Sequence, residues 1–212
     1  MGTLIWTDTF DTYTAGSPIP APWTAVSNTP ISNAVKHGGA NSVAVGAGGN
    51  NSGAIRALGS NVGPQFYIDF WFNSTAAVTS GASIVFYDTG ASDLGIEFMP
   101  NFNSATSGLV RTSFLANFFS FTVAPGTWQH AVLEVTRALA GSVKLTIDGT
   151  VVGTYSGDTR GTSNQTFVNA VNLHGSTIGA APAAEFYVDD LSIYSGVNTP
   201  ASTQGARVTV MA

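Results

Sequence analysis

Cysteine is absent from the 212 residues, which excludes a disulfide framework and any thiolate metal site. Charge is scarce too: Asp, Glu, Lys and Arg make up 9% of the chain, with 7 basic against 12 acidic residues and a net charge of −5. The basic residues stand singly, so the basic patch of a nucleic-acid-binding surface is missing and no nucleic acid partner is expected. No apolar run approaches the ~20 residues of a membrane-spanning helix, so no membrane partner is expected either. The opening MGTLIWTDTF has neither a basic n-region nor an apolar h-region, and Trp6 stands where N-myristoylation needs Ser or Thr. No signal peptide or lipid anchor is therefore expected there. Nucleophile-elbow, P-loop and dinucleotide-binding fingerprints are missing. His37, His130 and His174 are too far apart for a His-x-His or His-Glu-x-x-His metal motif.

What is present is alternation with a period of two, set in a background of Gly, Ser, Thr and Asn. In FYIDFWFN, Phe66, Ile68, Phe70 and Phe72 share one face, and Tyr67, Asp69 and Trp71 the other. LGIEFM sets Leu94, Ile96 and Phe98 against Glu97, and WQHAVLEVT sets Ala131, Leu133 and Val135 against His130, Glu134 and Thr136. SVKLTIDGTVVGTY places Asp148-Gly149 between two β-rich runs, a strong hairpin signal. With further runs at SVAVGA, GAIRAL, SIVFYD, GLVRTSFL, FFSFTV and QTFVNAVNL, about twelve strands are expected. The fold class is all-β: an antiparallel two-sheet jelly-roll sandwich. TRALAG, around Thr136 to Ala140, is expected to form one helical turn. GAGGNNSG, Gly46 to Gly53, reads as a flexible loop. Asn50, Asn73 and Asn164 head sequons that a chain this rich in Asn, Ser and Thr produces by chance.

EFYVDDLSIY, Glu185 to Tyr194, sets two aspartates side by side inside a strand. The apolar parity shifts by one residue between Val188 and Leu191, and a β-bulge at Asp189-Asp190 would keep Phe186, Val188, Leu191 and Ile193 all on the core side. One carboxylate is then expected to accept hydrogen bonds from the N-terminal strand near Trp6 to Thr9.

The run GTWQHAVLEVTRALAGSVKLTIDGTVVGTY, with Trp128, His130, Asp148 and Gly149, resembles the laminin-G-like, concanavalin A-like jelly-roll family. DTFDTYTAGSPIPAPWTAV is similar to the family's first segment and FYVDDLSIYSG to its last strand. The resemblance spans residues 3 to 195 and implies one concanavalin A-like jelly-roll domain over 1–195, followed by an extended C-terminal tail or docking arm over 196–212. It also implies a choice among lectins, glycan hydrolases, adhesion modules and viral surface proteins. Hydrolases of this fold usually carry Glu-x-Asp-x-x-Glu on one strand. Glu97, Glu134 and Glu185 do not stand in that spacing, so catalysis is not expected.

Residue chemistry offers two candidate ligand sites, each beside a plainer alternative, a solvated turn for the first and a core tryptophan for the second. Calcium takes several oxygen ligands, and Asp88 and Asp93 in YDTGASD, with Asp158 in SGDTRGTSN, are the candidates. Trp23, among the prolines of IPAPWTAV, would present an indole face to a sugar ring. His130 reads as a packed or hydrogen-bonded residue. The sparse charge, the start at Met1 and the tail STQGARVTVMA, which resembles the ends of some phage structural proteins, set the functional expectation. It is a noncatalytic bacteriophage virion surface protein, capsid decoration or tail-associated. Its partners would be other virion proteins such as the major capsid protein, copies of itself in a homo-oligomer, and host glycans. The alternative is a carbohydrate-binding module of a bacterial extracellular protein.

Overall fold

The computed structural model describes residues 2–25, 29–46, 53–75, 82–90, 95–112, 116–160, 164–175 and 184–198. Among these there is no helix, and fifteen strands run in chain order: β1 (Thr3–Asp8), β2 (Thr24–Ala25), β3 (Ile31–Ser32), β4 (Ser42–Val45), β5 (Gly53–Val62), β6 (Gln65–Ser74), β7 (Ser83–Tyr87), β8 (Ile96–Met99), β9 (Ser107–Thr112), β10 (Ala116–Thr122), β11 (Trp128–Thr136), β12 (Gly141–Ile147), β13 (Thr150–Gly157), β14 (Val168–His174) and β15 (Phe186–Ser195). The surplus over twelve includes the two-residue strands β2 and β3, too short to show an alternation.

The strands form two antiparallel sheets. The first has the order β13-β12-β11-β6-β15-β4-β3, with β1 also paired to β15, and the second β10-β9-β8-β7-β14-β5-β2. This is the expected sandwich. Inward-facing Phe66, Ile68, Phe70 and Phe72 from β6 meet Ile84, Phe86, Ile96 and Phe98 from the second sheet in one continuous core. Phe98 packs edge-on to Phe70 and Phe72, at 5.0 and 5.1 Å between ring centroids, and stacks on Phe121 at 5.3 Å. Gly108 leaves the space for that last ring, since a Cβ there would run into Phe121.

Two local expectations hold. Asp148 and Gly149 both take positive φ, +48° and +78°, the geometry of a tight turn between β12 and β13. In β15 the register against β6 shifts between Asp189 and Ser192, Asp190 has φ of +49°, and Phe186, Val188, Leu191 and Ile193 are all fully buried. The extra residue keeps the strand's apolar set on one side.

Two others do not. TRALAG forms no helical turn; it is the connection from β11 to β12. Arg137 pulls it inward instead: its guanidinium is buried and donates to the carbonyls of Phe167 at 2.7 Å and Arg160 at 3.0 Å. And the carboxylate of Asp189 does not bind the N-terminal strand. β1 pairs with β15 from Leu191 onward, beyond the bulge, and Asp189 accepts instead from His37 and Gly38 of the β3–β4 connection. The loop Gly46 to Gly53 lies, over 47–52, outside the described residues. So does the tail from residue 199.

Candidate functional site

Each sheet has an outward face, and the two differ. On the first, antiparallel register sets Asp189 of β15, Trp71 of β6 and His130 of β11 side by side. The strap Lys36–Asn41 crosses them. His37 stacks on Trp71 at 3.6 Å between centroids, nearly parallel, and the His130 ring lies 5.0 Å from Trp71. Trp71 is thus flanked by two imidazoles, each beside an aspartate: His37 Nδ1 to Asp190 Oδ2 at 3.1 Å, and His130 Nε2 to Asp69 Oδ1 at 2.6 Å. Asp189 Oδ2 accepts from the N–H groups of His37 and Gly38 at 3.0 and 3.5 Å, and Oδ1 from Asp190 N–H at 2.9 Å. Asp11 holds the strap's far end through Ala40 and Asn41. Burial pushes the Asp189 carboxyl up to about 6. The polar groups here bind one another, which makes this face a clasp for the strap.

The second sheet's outward face is recessed. Val85, Met99 and Leu109 point away from the inter-sheet core yet are each at most 2% exposed. Register across the sheet aligns one row of side chains: Asn117, Arg111, Glu97, Val85, Asn172, Ile55 and Thr24, one from each strand from β10 to β2. Six strand spacings make this row about 29 Å long. In its centre Arg111 Nε donates to Glu97 Oε2, and the Arg111 guanidinium lies over the Phe102 ring at 6.0 Å from its centroid. Asn172, two strands further along, is 8% exposed, and its buried Oδ1 has no hydrogen-bond partner. A buried amide oxygen in that state costs about 1–3 kcal/mol. Tyr87 and His174 flank the row, each two residues along its strand from a row member and half-buried. Burial raises the Tyr87 hydroxyl above its ordinary value, so it stays a donor.

The family model described as the concanavalin A-like lectin/glucanases superfamily matches residues 47–203. The chain belongs to that superfamily. No curated protein matches it in sequence. Among solved structures it is similar to the endo-β-1,4-glucuronan lyase of the fungus Trichoderma reesei, with 13% identity and TM-score 0.60 over 92% of this chain and 96% of that one. It is also similar to domain 4 of AbnA, an extracellular arabinanase from Geobacillus stearothermophilus solved with arabinotriose, with 18% identity and TM-score 0.61 over 94% and 95%. A carbohydrate esterase of the Shiga toxin-encoding bacteriophage phi24B matches at 13% identity and TM-score 0.58 over 93% and 100%. At these identities the matches show the shared fold.

Within this lectin/glucanase sandwich the sites expected from sequence are scattered. Trp23 is no platform. It is 4% exposed, meets Trp6 edge-on at 5.5 Å between centroids, and its Nε1 donates to Asp8 Oδ2 at 2.9 Å, so neither indole face is open to a sugar. Asp88 is buried, and its Oδ1 accepts from Gly90 N–H and from Asn169 Nδ2, which makes it a turn cap. Asp93 lies outside the described residues. Asp158 is gripped by Arg160 through both carboxylate oxygens, which lowers it to about 2. Among the described residues no three His, Asp or Glu side chains gather as metal ligands do. His130 is hydrogen-bonded as expected, though on the outer face and not in the core. Sequence reasoning passed over Arg111, Asn172, Tyr87 and Phe102. A signal existed: Glu97 in IEFM, Arg111 in GLVRT and Asn172 in VNAVNLH are each polar at a strand position whose two neighbours are buried.

Proposed function

We propose that this chain is a noncatalytic carbohydrate-binding module acting outside the cell, and that the recessed face of the second sheet is its glycan-binding surface. The observation that carries the proposal is Asn172. Its buried Oδ1, two strands along the row from a satisfied ion pair, lacks the donor that a sugar hydroxyl would supply. Tyr87 and Phe102 add half-buried aromatic surface for the apolar side of a sugar ring. Fold relatives of similar extent, including the arabinanase domain solved with arabinotriose, support the class of ligand and the extracellular setting.

The carboxylates support binding without hydrolysis. Hydrolysis of glycosidic bonds uses two of them across the cleft. Glu97 is the only carboxylate carried by the strands of this sheet, and Arg111 already holds it.

Asn172→Leu tests the proposal. It removes an unsatisfied polar group and supplies an apolar one of similar size, so the unfolding midpoint should hold or rise while affinity for oligosaccharide falls at least about tenfold. Arabino-oligosaccharides are the first probes, by calorimetric titration with and without EDTA. Binding should survive EDTA, because Glu97, the carboxylate on the strands of this sheet, is held by Arg111. Unchanged affinity in Asn172→Leu would remove the site.

Display on a phage virion is a second reading, favoured by the fold match to the phage esterase. Mass spectrometry of purified particles decides it: a fixed copy number relative to the major capsid protein supports it, and absence rejects it.

A further inference from the structure

The cations of this chain are few enough to place one by one. Lys36 lies on the strap over the first sheet, and Lys144 extends from β12 of the same sheet to Glu134 Oε1 at 2.8 Å. Arg137 is buried under the β11–β12 turn. Arg160 is clamped to Asp158. Arg56 points to the edge between the sheets, over the Trp6 ring. Among the described residues only Arg111 reaches the recessed face, and Glu97 neutralises it there. The seventh, Arg207, is in the C-terminal tail. The internal stretches outside the described residues, 26–28, 47–52, 76–81, 91–94, 113–115, 161–163 and 176–183, contain no Lys or Arg at all, and one of them adds Asp93.

We infer that the ligand of this face is a neutral glycan, and that uronate- or sulfate-bearing chains are excluded from it. The inference rests on the glycan-binding reading of the face and narrows it. A carboxylated sugar brought into the row would lose hydration, and among the residues named here no free cation compensates it, which is costly in a recessed site. The chain's net charge of −5 adds repulsion. A neutral polyol meets none of these costs, and the row's uncharged groups, the amides of Asn172 and Asn117 and the hydroxyls of Thr24 and Tyr87, match its hydroxyls.

Calorimetric titration at low and high salt tests this with two sets of probes: neutral arabino-, xylo- and cello-oligosaccharides, and oligogalacturonates and oligoglucuronates of similar length. At least one neutral probe should bind with an affinity that salt does not change, and every uronate should bind at least about tenfold more weakly. Asn117→Lys, an exposed change at the row's end, should strengthen uronate binding at low salt and narrow the gap to the neutral probes. Uronates binding more tightly than every neutral probe would overturn the inference and leave the glycan-binding reading standing. Folded protein that binds neither set would overturn that reading itself. Neutral binding with no response of uronates to Asn117→Lys would show that the row is not the ligand's track.

Discussion

Replacing Asp189 by asparagine should leave stability near pH 4 unchanged and raise it at neutral pH. Burial first, and the charge of Asp190 second, push the Asp189 carboxyl up to about 6, against the pull of three backbone N–H groups that favour the ionised form. The folded chain therefore holds this proton more tightly than the unfolded chain, where the group titrates near 3.8. The stability it contributes is full below about pH 4 and is lost as pH rises through about 6. About two pH units correspond to up to about 3 kcal/mol, or roughly 6–12 °C in the unfolding midpoint of a chain this long. A carboxamide offers an acceptor and a donor as the protonated acid does, and it never ionises.

The assay is urea unfolding of both proteins at half-unit steps from pH 4 to 8, compared at equal slope. His37 and Asp190 belong to the same cluster and are present in both chains, so the difference between the two curves reports mainly on Asp189. The gap should open between pH 4 and 6 and then stay level. A gap that is flat with pH, or a variant less stable than the parent at pH 7, would mean that the three N–H donors outweigh burial and hold Asp189 ionised in the fold.

Asp190 sits in the left-handed region at φ +49°, so Asp190→Val should lower stability by about 1–2 kcal/mol while Asp190→Gly stays within about 0.5 kcal/mol, both read from thermal melts. Asp69→Asn should cost less than about 1 kcal/mol despite the 2.6 Å contact to His130, because both side chains are about a third exposed and water screens the pair. Glu97→Ala should cost about 2–3 kcal/mol by denaturant unfolding; it strands Arg111, which keeps part of its surface in water and so falls below the cost of a fully buried pair. Phe98→Ala, which removes the ring shared by Phe70, Phe72 and Phe121, should cost about 3–5 kcal/mol in the same assay.

The features legible in the sequence are those that one segment decides alone. Alternation in FYIDFWFN separates core from surface because the pleat has a period of two, whatever the partners of β6. The parity shift between Val188 and Leu191 needs an extra residue, and Asp190 takes it. The Asp148-Gly149 turn needs only its own two φ angles. Features set by distant partners were not legible. Trp23 reads as a surface residue among prolines, but its ring packs against Trp6 and Phe10 and its N–H donates to Asp8, all in the N-terminal segment. Asp189 reads as a partner for the N-terminal strand that does pair with β15, but that pairing begins only at Leu191, and the donors that reach Asp189 belong to His37 and Gly38, about 150 residues away.

The candidate site is the extreme case of the same distinction. Arg111, Glu97 and Val85 lie on three successive strands, but Asn172 joins their row only because β14 is inserted between β7 and β5. Alternation shows that each of these residues points away from the core. It does not show that they are neighbours, since that depends on strand order and register, and a one-residue slip in any pairing would turn that strand's member inward. The same dependence makes the row testable as a unit. If a glycan lies along it, Arg111→Gln and Asn172→Leu should both weaken binding, and because three strand spacings, about 14 Å, part them, the two losses should add in a double variant. Such additivity would place them at separate subsites of a longer chain, and no effect from either would remove the row from the binding surface.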